Sequence, residues 1–599
     1  MDRSGKDKTR EAPAAGCAVV GAAAGTRPTA GIGSYLALAF AILCLMVLRK
    51  PDTVLNPQFW AEDCTVLFWQ ALTRGWSSVF LPYNGFLWIP LRVVAVVASP
   101  LRLELLPFVY NFTALAIEAA CCALFSLPAY RHLVRNDWLR RACCLLFACA
   151  LPAGGEMIGT LTNLHWYLAL AALAALAARP ARISGLGAGV AACIGAGVVL
   201  CGLSCPVLIV ATPIALWQAA GALRSRDWKT LAIRICLLAG ILIEVNVSLI
   251  YGVPAAGPTR PLLPNLPMAI AFPGVLRWIL GTRLAQFVVA HAMIPAGVAV
   301  WLALLAWLVW SLCKMRLFPL VCVVLLFIGP VAEAIVGRHI LLATWDNVMW
   351  AGERYFFLSG CAFFFWMAAS IERWLPAWRY SPIALVGLFG LGIAGNFRVP
   401  PYPELHWPAQ AARIREWRAT GRGASLPVLP ADLFSLELPG LLSPPTSSTF
   451  RSLRVKPVDV ENIGPAIPIR QWKADSAWTV NGFHPSVGTL PGEALFGSYS
   501  GSDANQGVLL SAPFGIGGLG CIVLPVAHGP TLTDQFIFLI DGGTKETLGE
   551  VPLDPKSGNW RYWAVHFRTG VDKLRILAED RGRLHGEWVA VGEPHWCKP

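Results

Sequence analysis

Apolar runs close to the twenty residues needed to cross a bilayer recur from Ile32 to Ala394, and water-soluble folds do not carry such a series. They read as spans at roughly 32–48, 107–128, 142–153, 164–178, 185–202, 205–219, 231–251, 286–312, 317–336, 355–372 and 381–395. Only 14% of the residues are charged, against about 25% in soluble domains. The net charge of +13 gives no nucleic-acid signature, because the cations sit between apolar runs and form no basic stripe with interleaved aromatics. They read as topology signals and anionic-lipid contacts. If the N-terminus is cytosolic, the short inward loops hold Arg131, Arg135, Arg140 and Arg141, then Arg179 and Arg182, then Arg224, Arg226 and Lys229, then Lys314 and Arg316, then Arg373 and Arg379. An odd span count then places everything after Asn396 on the outer face.

The expected division is 1–31 as a disordered cytosolic N-terminus, 32–395 as the multi-span membrane domain, 396–450 as a helix and Pro-rich linker, and 451–599 as an outer β-sandwich. Ile32–Leu48 is followed by Arg49-Lys50-Pro51 instead of a small-residue cleavage site, so it reads as an uncleaved first span. The stretch 86–106, broken by Pro90, Arg92 and Pro100, suggests a helix on the outer membrane surface. The linker opens on Pro400, Pro401 and Pro403 and continues as an amphipathic helix from Pro408 to Thr420. Strands are expected at 496–499, 508–510, 521–525, 535–540, 560–567, 573–578 and 587–591, separated by turns such as Asp541-Gly542-Gly543. That spacing suits a β-sandwich or jelly roll. Cys521 and Cys597 are the only cysteines of this tail, and they either form a disulfide or remain two thiols.

Three clusters carry chemistry. Asn56-Pro57 reads as a helix start that puts Glu62 and Asp63 in its second turn, beside Phe59, Trp60, Phe68 and Trp69. Adjacent carboxylates among aromatics are either used or form a solvated face. The second cluster runs from Gly154 through Glu156, Gly159 and Asn163 to His165-Trp166-Tyr167. Its glycines permit an irregular backbone lining a cavity, or simply a tight interhelical turn. The third comprises Arg338-His339, Trp345-Asp346-Asn347 and Glu353-Arg354-Tyr355, where arginine suits a lipid phosphate or merely snorkels. Glu118, Glu244 and Glu333 lie in or near apolar spans, where a carboxylate points to function. The chain carries no P-loop, Gly-x-Ser-x-Gly, His-Glu-x-x-His or Rossmann fingerprint.

In order and topology these clusters resemble the glycosyltransferase-C superfamily, polyprenyl-phosphate-sugar-dependent transferases of the bacterial envelope. The resemblance covers about residues 32 to 435. It rests on Phe59-Trp60-Ala61-Glu62-Asp63, Pro82-Tyr83-Asn84-Gly85-Phe86, Thr162-Asn163-Leu164-His165-Trp166 and Glu353-Arg354-Tyr355. It departs from the pattern at Cys64, where such proteins often carry Gly. The resemblance implies a polytopic α-helical fold of about eleven spans in the bacterial cytoplasmic membrane, with a periplasmic C-terminal domain. That domain resembles carbohydrate-binding modules in fold only.

The implied activity is transfer of a sugar from a polyprenyl-phosphate donor to an envelope glycan or lipid acceptor. The resemblance makes Asp63 the general base with Glu62 beside it, and Arg338 and Arg354 the stabilisers of the departing phosphate. Glu156, Asn163, His165, His339, Glu353 and Tyr355 are expected to bind substrate. No cofactor is required. A divalent cation such as Mg or Mn could bridge Glu62 and Asp63 to the phosphate, although two carboxylates alone make a poor metal site. The rival readings are a lipid-linked glycan flippase or carrier and an O-antigen polymerase or ligase.

Overall fold

The computed structural model describes residues 29–315 and 353–598, apart from 84, 151–154, 179–182, 184, 252–269, 376–378 and short stretches between 432 and 585. The expected span 317–336, with Glu333, and the outer residues Trp345-Asp346-Asn347 lie outside the described residues. Among the described residues six helices are long and apolar enough to cross a membrane: Gly31–Arg49, Leu103–Ser126, Pro206–Arg224, Trp228–Ile250, Thr282–Met315 and Arg354–Trp374. Ile89–Ala98, Leu164–Ala177 and Ala188–Gly202 are shorter apolar helices. The protein is a polytopic helical membrane protein followed by a C-terminal all-β domain.

Local chemistry moves several boundaries. The run expected at 142–153 belongs to a helix that starts at Asp137, because the Asn136 side chain accepts from the backbone N–H groups of Trp138 and Leu139. The run at 381–395 is two short helices, Ser381–Leu388 and Gly390–Asn396, broken at Phe389. In the stretch 86–106 the helix Ile89–Ala98 is tied inward by Arg92, which is 1% exposed. Its guanidinium donates to the backbone oxygens of Leu87 at 2.9 Å and Ser78 at 3.0 Å and to Oε1 of Gln70 at 2.5 Å.

After the last apolar helix, Trp407–Thr420 buries Trp407, Gln410, Ala411, Ile414 and Trp417, the three-and-four spacing of one helix face. The hairpin of Ala424–Val428 and Phe434–Leu438 follows. Two antiparallel sheets then form a sandwich. One is built around Cys521–His528, flanked by Arg561–His566 and Val589–Gly592. The other is built around Lys573–Asp580, flanked by Gln535–Asp541 and Gly507–Ser511. Ile522, Leu524 and Val526 meet Ile537, Leu539 and Ile576 in the core between them.

The second sheet is buried on both faces. Alternation along Gln535–Asp541 sends Ile537 and Leu539 into the sandwich, while Phe536, Phe538 and Ile540 join the core of the membrane part. There they share a cluster with Trp417, Leu426, Leu436 and Leu438. Polar ties reinforce this seam: Arg581 reaches Glu579 at 2.6 Å and Glu437 at 3.4 Å, and Arg74 of the first loop reaches Glu550 at 3.3 Å.

Cys521 and Cys597 are joined, with Cα atoms 5.9 Å apart, linking the central strand of the first sheet to the last strand of the chain. In the chain-entropy model such a loop stabilises a domain by about 4 kcal/mol. Thiol labelling of the denatured protein is therefore expected to modify these two cysteines only after reduction. Equal labelling without reduction would exclude the bridge.

Candidate active site

The helix expected from Pro57 does not form there. The helix Asp52–Leu55 ends with Asn56 as its C-cap, and the chain then runs extended because Gln58 is held from the linker. Its Nε2 donates to the Pro403 carbonyl at 3.0 Å, and its Oε1 accepts from the Leu405 N–H at 2.7 Å. Trp60 bridges to Leu429, and the Ala61 N–H donates to the Leu429 carbonyl at 2.6 Å. Ala61 is thereby held at φ 38°, a left-handed conformation that costs a non-glycine residue about 1–3 kcal/mol. Turned in this way, the chain starts its next helix, Asp63–Phe68, after Glu62, so Asp63 sits in its first turn.

Asp63 is 0% exposed, and it joins the first cluster to the second. Its Oδ1 accepts from the Thr162 N–H at 2.6 Å and the Thr162 hydroxyl at 2.5 Å, and its Oδ2 from the Leu161 N–H at 3.1 Å. Burial outweighs these three donors and pushes its carboxyl up to about 7. Glu118 grips the same turn, accepting from the Gly159 N–H at 3.2 Å. Gly159 has φ +67, and a Cβ there would meet Thr53 at 3.0 Å, which explains the residue.

Beside this turn Lys50, 1% exposed, donates to the Gly155 carbonyl at 2.9 Å and lies 3.8 Å over the Tyr402 ring. Burial lowers its ammonium to about 8, against the opposing pull of Asp52, Glu118 and Asp63. Gly155 is required by packing, since a Cβ would fall 2.2 Å from the Tyr402 hydroxyl.

The second cluster meets the third through an ion pair, Arg354 Nη1 to Glu156 Oε2 at 2.9 Å, with side chains 32% and 22% exposed. Arg354 Nη2 also reaches the Tyr355 hydroxyl at 3.3 Å, and Asn163 Nδ2 donates to the Glu156 carbonyl at 2.8 Å. His165 Nδ1 lies 2.7 Å from the Thr162 carbonyl, and its ring stacks on Trp88. Glu62 is partly exposed, and its charge acts on Arg354. Glu62, Asp63, Glu156, Asn163, His165, Arg354 and Tyr355 thus share one region. Glu353 opens the turn Glu353–Phe356, whereas Arg338 and His339 lie outside the described residues.

Sequence reasoning passed over Lys50, Thr162 and Tyr402 as site residues. Lys50 was legible only as one of several loop cations, and Thr162 only as part of a motif. Nothing in the sequence joined Tyr402 to residues 50 and 155.

No family profile matches the chain, and no curated protein matches it by sequence. Among solved structures the arabinosyltransferase EmbB from Mycobacterium smegmatis matches over 94% of this chain and 64% of its own length, at 13% identity and a TM-score of 0.22. The C-terminal extracellular domain of Mycobacterium tuberculosis EmbC matches over 24% of this chain and 65% of that domain, at 14% identity and a TM-score of 0.18. The chain therefore spans just under two thirds of each of these two structures. At these TM-scores superposition carries no residue roles across.

The carboxylate pair does not fit a bridging cation. Three donors occupy the Asp63 oxygens, and among the described residues no three His, Cys, Asp or Glu side chains converge as a metal site.

Proposed function

We propose that the protein is a membrane glycosyltransferase that moves a sugar from a polyprenyl-phosphate donor to an envelope glycan or lipid acceptor on the outer face of the cytoplasmic membrane. The observation that carries this reading is the convergence of three distant segments: Asp63 bonded to Leu161 and Thr162, and Glu156 of that same segment paired with Arg354. A buried carboxyl at about 7 can hold a proton and release it near neutral pH. A partly exposed guanidinium nearby can meet phosphate with two parallel N–H bonds.

In the transfer the acceptor oxygen forms a bond to the anomeric carbon as the carbon–oxygen bond to the lipid phosphate breaks. Asp63 takes the acceptor hydroxyl proton, while Arg354 balances the charge left on the phosphate. Glu156 holds the Arg354 fork in place before donor arrives. A second reading is favoured by the zero exposure of Asp63: Glu62, next in the chain and partly exposed, takes the proton, and Asp63 fixes the turn that carries Glu156. The decisive measurement gives purified protein its native lipid-linked donor and follows loss of lipid-phosphate sugar together with gain on the acceptor by mass spectrometry. Movement of intact donor across the bilayer without sugar transfer would replace the proposal with a carrier.

The orientation has its own test. Alkaline phosphatase fused after residue 599 is expected to be active and green fluorescent protein to be dark, because the short inward loops are cation-rich and the C-terminus then lies outside. The reverse pattern would remove the outer-face site.

A further inference from the structure

A groove of about 700 Å³ lies away from this region, between the far end of the first-loop helix, the helix Ile89–Ala98, the helix Trp407–Thr420 and the start of the β part. Arg74 and Arg418 line it with Leu72, Trp76, Val96 and Leu453. The two arginines differ. Arg74 is engaged by Glu550, whereas Arg418 is exposed and has no ion-pair partner among the described residues. Partial burial of the side chain lowers the Arg418 guanidinium below its ordinary value. Two cations against one carboxylate leave the groove in want of an anion.

Its rim is apolar and open. Trp76 of its lining is 65% exposed, Phe80 (71%) and Val97 (60%) stand next in sequence to its lining residues Leu81 and Val96, and Leu101, Leu105, Phe108 and Phe112 are exposed in the chain that leads into and along the spanning helix Leu103–Ser126. Cations beside exposed aromatic and aliphatic side chains match the boundary between headgroups and acyl chains. A soluble anion would satisfy the arginines and leave those apolar side chains unused.

We infer that this groove binds one anionic phospholipid, its phosphate on Arg418 and Arg74 and its chains over Trp76, Phe80 and Val97. The site is separate from the transfer region. Arg74 stands eleven residues beyond Asp63, at the far end of the helical stretch that Asp63 opens. The inference does not depend on the transfer chemistry.

The test uses the full chain in nanodiscs of phosphatidylcholine with phosphatidylglycerol, followed by native mass spectrometry of retained lipid. The wild type is expected to keep one phosphatidylglycerol, and Arg418→Gln to weaken its retention about fivefold to tenfold. Arg418→Gln leaves every described ion pair intact, so its folding, read by thermal unfolding, is expected to match wild type. Trp76→Ala should weaken retention as well, because it removes chain contacts and no charge. Equal retention by all three proteins would overturn the inference. So would displacement of the lipid by inorganic phosphate alone, since that would make the site one for free phosphate.

Discussion

Asp63→Asn is expected to lower sugar transfer by about 10² to 10⁴-fold, the range for removing a general base. Its signature is as important as its size. Wild-type activity should climb through pH of about 7, where the buried Asp63 loses its proton, and Asp63→Asn should lack that limb. Structural cost is expected too. The asparagine nitrogen must face an N–H of Leu161 or Thr162 where a carboxylate oxygen accepted, at about 1–3 kcal/mol for an unmet buried donor. Thr162→Val separates the two effects, because it deletes one donor to the carboxylate and leaves the base.

The linkage sign provides a check without substrate. The Asp63 value is raised on folding, so the folded protein holds an extra proton between the unfolded value of about 4 and the folded value of about 7. The stability this proton carries is complete below that window and declines as pH rises through it. The melting temperature of the wild type should fall across the window relative to Asp63→Asn. If Asp63→Asn keeps wild-type turnover and Glu62→Gln loses it, the proton acceptor is Glu62.

Arg354→Lys is expected to reduce kcat/KM for the lipid-linked donor by about 10² to 10³-fold, comparable to loss of a charge-stabilising donor in other enzymes. Lysine retains the charge but cannot hold Glu156 with one N–H and offer the others in the plane of a phosphate. Glu156→Gln should cost less, since it frees the guanidinium without removing it. Wild-type kinetics for Arg354→Lys would leave phosphate recognition to residues outside the ion pair.

The helical membrane part, the all-β tail and seven of its strands were legible because hydropathy and runs of strand-forming residues are local signals. Strands expected at 521–525, 535–540 and 573–578 are found at Cys521–His528, Gln535–Asp541 and Lys573–Asp580. The Asn56-Pro57 helix start failed because Gln58 is bonded to Pro403 and Leu405, about 350 residues away in sequence, and such ties outweigh a cap worth about 1 kcal/mol. Glu118 stood out as a carboxylate in an apolar run, but its partner Gly159 did not. The unbroken apolar run Phe536–Ile540 held the remaining clue: alternation is erased where a strand is buried on both faces.

That doubly covered sheet sets the order in which the molecule can mature. Until Gln535–Asp541 and Lys573–Asp580 are in place, Trp417, Leu426 and Leu438 have no partner for one side, and the Arg74 contact with Glu550 is missing. The hairpin that these strands cover leads directly to Leu429, whose carbonyl holds Ala61 two residues before Asp63. These late strands therefore act as a latch on a much earlier loop, and a chain cut short before them is expected to be cleared by proteolysis instead of persisting as a half-working membrane core.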